Sequence, residues 1–94
     1  MNLITLAFEV AMEDQADFFQ EMEKLKPYWD EKGFVFSQFR DATRKSRLLQ
    51  LFLTEKSVDD FTALIQSDNE AKAMFESVKK VAGNIVVSCM ECVV

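Results

Sequence analysis

Histidine is absent from the chain, and with it go the Ser-His and Cys-His catalytic pairs, a histidine-ligated haem and the H-E-x-x-H zinc site. Glycine occurs only at positions 33 and 83, too sparsely for a phosphate-binding P-loop or a dinucleotide fingerprint. Two cysteines, Cys89 and Cys92, are too few for a disulfide framework. Basic charge is also scarce. With 11 Lys and Arg against 16 Asp and Glu, the net charge is −5 and the pI near 4.6, which argues against a nucleic-acid partner, whose affinity rests on cations neutralising phosphates. No apolar run is long enough for a membrane span: the N-terminal stretch Leu3 to Val10 is short and interrupted by Thr5 and Glu9, and no basic segment of signal-peptide type precedes it. A cytoplasmic protein with no membrane partner is the expectation.

What the chain has in quantity is apolar side chain. Hydrophobic residues make up 49% of 94 residues and nine are Phe, enough to give one domain over 1–94 a core of its own. Alternation of period two predicts a first strand from Asn2 to Met12, with Ile4, Leu6, Phe8, Val10 and Met12 on one side and Leu3, Thr5, Ala7 and Glu9 on the other. Glu13 and Asp14 then open a helix carrying Phe18, Met22, Leu25 and Trp29 at helical spacing, with Gly33 as its stop. Pro27 lacks the amide that would bond to the Glu23 carbonyl, so the helix kinks near Lys26 or restarts there.

Phe34 to Arg40 and Arg47 to Thr54 read as two strands joined by a polar hairpin loop. Ser57-Val-Asp-Asp60 has the form of a capping box, and Ser67-Asp-Asn-Glu70 repeats the signal, so the second helical region divides in two: Phe61, Leu64 and Ile65, then Met74, Phe75, Val78 and Ala82 before Gly83. Ile85 to Val94 makes the last strand. The order βαββαβ predicts an α+β ferredoxin-like sandwich with a four-stranded antiparallel sheet.

Both faces of that sheet read as apolar, and two helical regions can cover only one. The apolar series Ile4, Leu6, Phe8, Val10, Leu49, Leu51 and Leu53 is assigned to the helices, leaving Leu3, Ala7, Leu48 and Phe52 for a second copy of the chain. A homodimer through the helix-free face follows. A small apolar or aromatic ligand between helices and sheet would meet Phe18, Met22, Trp29, Phe61, Met74 and Phe75, with Ser37 or Ser88 to orient it. The same aromatic and Met residues at helical spacing are equally the core face of amphipathic helices. Glu9 shares the helix-free side, either as a ligand-contacting or acid-base carboxylate or as a rim residue paired with Arg40 or Lys56 or left in solvent, and a hairpin register that brought Gln38 and Arg40 beside Gln50 would build a polar cluster there. Cys89 and Cys92, three apart on a strand, point to opposite faces and serve as small apolar side chains rather than a redox or metal pair. The copper-carrying βαββαβ domains place C-x-x-C after the first strand, where this chain reads Ala11-Met-Glu-Asp14. No metal site and no cofactor are expected.

Ala7-Phe-Glu-Val10, Lys32-Gly-Phe-Val35, Phe39-Arg-Asp41 and the passage from Leu51-Phe-Leu-Thr-Glu-Lys-Ser57 to Phe61 and on through Ser67 resemble the antibiotic biosynthesis monooxygenase-like family of dimeric α/β barrels over nearly the whole chain. The resemblance implies a ferredoxin-like protomer whose sheet packs on a second one. It also implies a choice of activities. Some members are cofactor-independent monooxygenases acting on polycyclic aromatic substrates, others degrade haem, and many have no known activity. The haem-degrading members use an Asn on the first strand, a Trp near the third and a His on the second helical region; here those places hold Leu6, Thr54-Glu55, and Asn69 or Glu70. The implied function is therefore a cofactor-independent monooxygenase-like small-molecule enzyme, and the alternative is a non-catalytic ligand-binding or dimeric interaction module. An RNA-binding use of the same topology lacks the basic surround of strand aromatics that it requires.

Overall fold

The computed structural model, which describes residues 1–94, runs β1 (Asn2–Glu9), α1 (Met12–Glu23), α2 (Lys26–Glu31), β2 (Phe34–Arg40), β3 (Arg47–Thr54), α3 (Val58–Ser67), α4 (Asn69–Val81) and β4 (Gly83–Glu91). The strands pair antiparallel in the order β2-β3-β1-β4, the ferredoxin-like α+β arrangement expected from the sequence. No helix is long and apolar enough to cross a membrane.

The first helical region divides where Pro27 requires it. Pro27 sits in the first turn of α2, where its missing amide costs nothing, and α1 ends at Glu23. Gly33 follows α2 with a φ of +92°, a left-handed conformation that only glycine adopts freely, and its carbonyl accepts the Thr54 hydroxyl at 2.8 Å. Ahead of α3 the capping box forms as read: the Asp60 amide donates to Ser57 Oγ and the Ser57 amide to Asp60 Oδ2, both at 3.1 Å.

Three boundaries differ from the sequence reading. Met12 does not end the first strand but opens α1 and is 52% exposed, because the chain turns at Ala11, whose carbonyl accepts the Asp14 amide. Asp68, not Ser67, caps α4, accepting the Glu70 amide at 3.0 Å, while Ser67 Oγ donates back to the Ala63 carbonyl. At the far end it is Asn84 that takes a positive φ, of 54°, beside a register shift between Ala7 and Glu9, and the last strand begins at Gly83 and ends at Glu91.

Strand register settles the two faces. Residues directly opposite one another share a face, and the pairs Ile4↔Phe52, Leu6↔Gln50 and Phe8↔Leu48 put Leu48, Gln50 and Phe52 on the helix side with β1's buried series. Leu48 and Phe52, assigned above to the dimer face, are 2% and 0% exposed in the core. The helix-free face instead carries Leu49, Leu51 and Leu53 beside Leu3, Thr5 and Ala7, flanked by Val35, Ser37 and Phe39 on β2 and by Val86, Ser88 and Met90 on β4. The reason lies in the aromatic cluster. Phe52 meets Trp29 at 4.9 Å, Phe61 at 4.9 Å and Phe36, stacked, at 4.9 Å, a set of contacts that β3 can make only with Phe52 turned toward the helices.

The hairpin between β2 and β3 fixes that register. Asp41 Oδ1 accepts the amides of Thr43 and Arg44 and the Thr43 hydroxyl, at 2.8, 3.0 and 2.9 Å, and these donors lower its pKa to about 2, the Arg44 amide contributing most. The Asp41 amide in turn bonds to the Arg47 carbonyl, closing the loop against the start of β3.

Candidate functional site

The space between helices and sheet is filled. Trp29 is fully buried, stacks on Phe61 at 5.6 Å with a 20° tilt, and donates its indole N–H to Met74 Sδ at 3.3 Å. Phe18, in edge contact with Phe8 at 5.7 Å, and Met22 are buried on the same side, and Phe75 packs against the core with the Lys79 ammonium 5.2 Å from its ring. Six of the residues named as pocket candidates, Phe18, Met22, Trp29, Phe61, Met74 and Phe75, thus pack as core. The two serines point elsewhere: Ser37 pairs with Leu51 and Ser88 with Thr5, which places both on the helix-free face.

The main cleft opens beside this core, along the free edge of β2. It is a half-open cavity of about 500 Å³ between the α1–α2 junction and β2, lined by Phe19, Glu23 and Lys26 on the helical side and by Phe36, Ser37, Gln38, Phe39 and Arg40 on the strand. Because β2 is an edge strand, the cleft reaches side chains of both sheet faces. Phe36, Gln38 and Arg40 face the helices, whereas Ser37 and Phe39 belong to the helix-free face.

Behind the cleft lies a pair of amides. Gln50 is fully buried and its Nε2 donates to Gln38 Oε1 at 3.4 Å, while Gln50 Oε1 has no partner. An unsatisfied buried carbonyl costs about 1–3 kcal/mol. Gln38, Arg40 and Gln50 share one face, as one hairpin register allowed, but it is the helix side and away from Glu9, and only the two glutamines are in contact. Their position follows the same correction as Leu48 and Phe52.

Glu9 belongs to a different arrangement. Its partners are the Arg44 guanidinium and the Asn84 side-chain amide, the latter at 3.1 Å, rather than Arg40 or Lys56. This links the β2–β3 loop to the start of β4 at the rim of the sheet, with Arg47 beside it. Gln15 performs a similar tie from the buried side, donating to the carbonyls of Val10 and Lys45 at 3.0 and 2.7 Å. Periodicity identifies neither arrangement, since Arg44 and Lys45 are brought to Glu9 and Gln15 by the hairpin and Asn84 reaches Glu9 through the pairing of β1 with β4. Tyr28 lies beside Asp68: burial above all, and then the neighbouring carboxylate, raise the phenol's pKa, although its buried hydroxyl makes no well-formed hydrogen bond. Asp68 is held low, by the Tyr28 hydroxyl first and further by the Glu70 and Ala71 amides. Cys89 and Cys92 are exposed free thiols, and no group of three or more His, Cys, Asp or Glu side chains is placed to hold a metal.

The closely similar solved structures share this architecture from end to end. One, a candidate antibiotic biosynthesis monooxygenase from Bordetella bronchiseptica, superposes with a TM-score of 0.83 over 99% of this chain and 97% of that one, at 14% identity. Another of the same description from Nitrosomonas europaea gives 0.80 over 100% of both chains at 12% identity. The chain has the antibiotic biosynthesis monooxygenase-like fold. SnoaB, a cofactor-independent oxygenase from Streptomyces nogalater, also superposes, at 0.78 over 98% of this chain and 92% of that one with 11% identity. No family model and no curated protein matches the sequence. The resemblance carried by Lys32-Gly-Phe-Val35 and the neighbouring segments is thus borne out as a resemblance of fold.

Proposed function

We propose that the protein is a homodimeric, cofactor-independent monooxygenase-like enzyme acting on a small phenolic aromatic held in the cleft between the α1–α2 junction and β2. The observation that carries this reading is the cleft itself: some 500 Å³, with Phe19 as its apolar wall, the buried Phe36 behind it, and Glu23, Gln38, Lys26 and Arg40 as polar groups at its edge. Such chemistry asks little of a protein. A substrate of the anthrone type supplies all four electrons: its CH2 becomes C=O, one atom of O2 enters that carbonyl and the other leaves as water. The protein has to remove a proton and steady the enolate oxygen. Glu23 is the carboxylate in the lining that can take the proton, and the surplus of positive charge along the cleft edge favours the anion that forms.

Assembly follows from the helix-free face. Val35, Phe39, Val86 and Met90 are 52–58% exposed and continuous with the half-buried Leu3, Leu49, Leu51 and Leu53, an apolar surface of the kind a monomer rarely leaves in water and an identical surface covers in a self-complementary way. Ser37 and Phe39 belong both to this face and to the cleft, so the second protomer closes the cleft on one side.

Oxygen uptake with dithranol in chelator-treated buffer tests the activity. Enzymatic turnover consumes one O2 per anthrone faster than autoxidation, and Glu23→Gln slows it; an uptake rate equal to the protein-free rate refutes the proposal. The non-catalytic reading draws on one observation, the dense packing of Trp29, Phe52, Phe61 and Met74 in the interior, and it is the outcome if aromatics bind without turnover.

A further inference from the structure

The charges around the cleft run opposite to those of the chain. The whole protein carries −5, yet the cleft lining sets Lys26 and Arg40 against Glu23, two cations and one carboxylate, for a local balance of +1. None of these three is used in an ion pair, for the pairs that form are Lys32–Asp68, Arg44–Glu9 and Lys79–Glu76. Both cations are positioned by the backbone. Lys26 is the first residue of α2, fixed beside Pro27, and Arg40 is the last residue of β2, opposite Leu48 and therefore directed to the helix side.

The amide pair adds direction. Gln50 Nε2 donates to Gln38 Oε1, which occupies one lone pair of that oxygen and leaves the Gln38 NH2 group without a partner in the protein and available to the cleft. The cleft thus offers an N–H donor, two cations and an aromatic wall, a set suited to an anionic oxygen attached to a flat ring. We infer that the cleft binds an aromatic carboxylate, its ring against the half-buried Phe19 and its carboxylate on Lys26, Arg40 and the Gln38 NH2. This rests on the reading of the cleft as the ligand site, and names the charge of what it takes.

Isothermal titration of the intact protein with 1-naphthoate and with its neutral counterpart 1-naphthalenemethanol tests the inference. Naphthoate is expected to bind about tenfold tighter at low salt, the sum of two partly exposed pairs, with the gap shrinking as salt is added. Lys26→Gln and Arg40→Gln should each narrow the gap about threefold, whereas Lys72→Gln, on α4, should leave it intact. Equal affinities for the two compounds, or a gap that survives both cleft substitutions, overturn the carboxylate assignment while leaving the cleft as a ligand site. Binding of neither compound overturns both.

Discussion

Leu51→Glu and Phe52→Glu, one residue apart on the same strand, should fail in opposite ways. Leu51 lies at the centre of the helix-free face, opposite Thr5 and Ser37, and is already half-buried within the protomer. Covering the remainder by a partner is worth about half of a full Leu burial, roughly 1–1.5 kcal/mol, and a two-fold interface contains the residue twice. Losing about 2–3 kcal/mol weakens the dimer roughly 30- to 150-fold, before the added cost of burying a carboxylate. The protomer itself should stay folded. Phe52 is fully buried among Trp29, Phe36 and Phe61. Truncating such a Phe costs about 3–5 kcal/mol, and a charge there costs more, against a total stability of about 5–15 kcal/mol for a small domain. Phe52→Glu is therefore expected to unfold. Sedimentation velocity with circular dichroism separates the cases: a folded monomer for Leu51→Glu and a disordered chain for Phe52→Glu. A folded, monomeric Phe52→Glu would refute the strand register, and an intact Leu51→Glu dimer the assembly.

Gln50→Met should raise stability by roughly 1 kcal/mol, or about 4–8 °C in Tm, because it removes the unpartnered Oε1 at the loss of one long hydrogen bond; a lower Tm in calorimetry would show that the amide pair stabilises the fold. Asp41 has its pKa lowered from 3.8 to about 2, so the unfolded state binds more protons through that window, and its contribution is present above 3.8 and lost as pH falls toward 2. Asp41→Asn, which keeps the turn, should flatten the acid limb of the stability curve there, and an unchanged limb would assign the acid sensitivity to other carboxylates. Thiol titration of the native protein should count two free cysteines per chain; a count of zero under non-reducing conditions would mean that Cys89 and Cys92 bridge.

The elements were legible because their signals are local: Pro27 splits the first helical region, Ser57 to Asp60 caps α3, and alternation marks the strands. The face of β3 was not. Leu48 and Phe52 on one side and Leu49, Leu51 and Leu53 on the other give a strand apolar on both, so a period of two carries no asymmetry, and the choice falls to the Asp41 turn and the rings gathered on Phe52. Of the cleft lining only Ser37 was among the candidates, and the rest escaped for a related reason. Phe19 stands next to core-facing Phe18, and Glu23 and Lys26 look like ordinary charges of an amphipathic helix. Only the position of β2 at the sheet edge makes them a wall. The closeness of Gln38 and Gln50 was foreseeable as one outcome of the hairpin register, but its side of the sheet depended on the same undetermined strand face.

Backbone and side-chain amide shifts of 15N-labelled protein titrated with 1-naphthol would test the cleft most directly. Saturable shifts centred on Phe19, Phe36, Arg40 and the Gln38 side-chain NH2, with the Trp29 indole signal little changed, are the expected result. Shifts centred instead on Trp29, Phe61 and Met74, or no saturable shift at all, would contradict the assignment of function to the α1–α2 and β2 cleft.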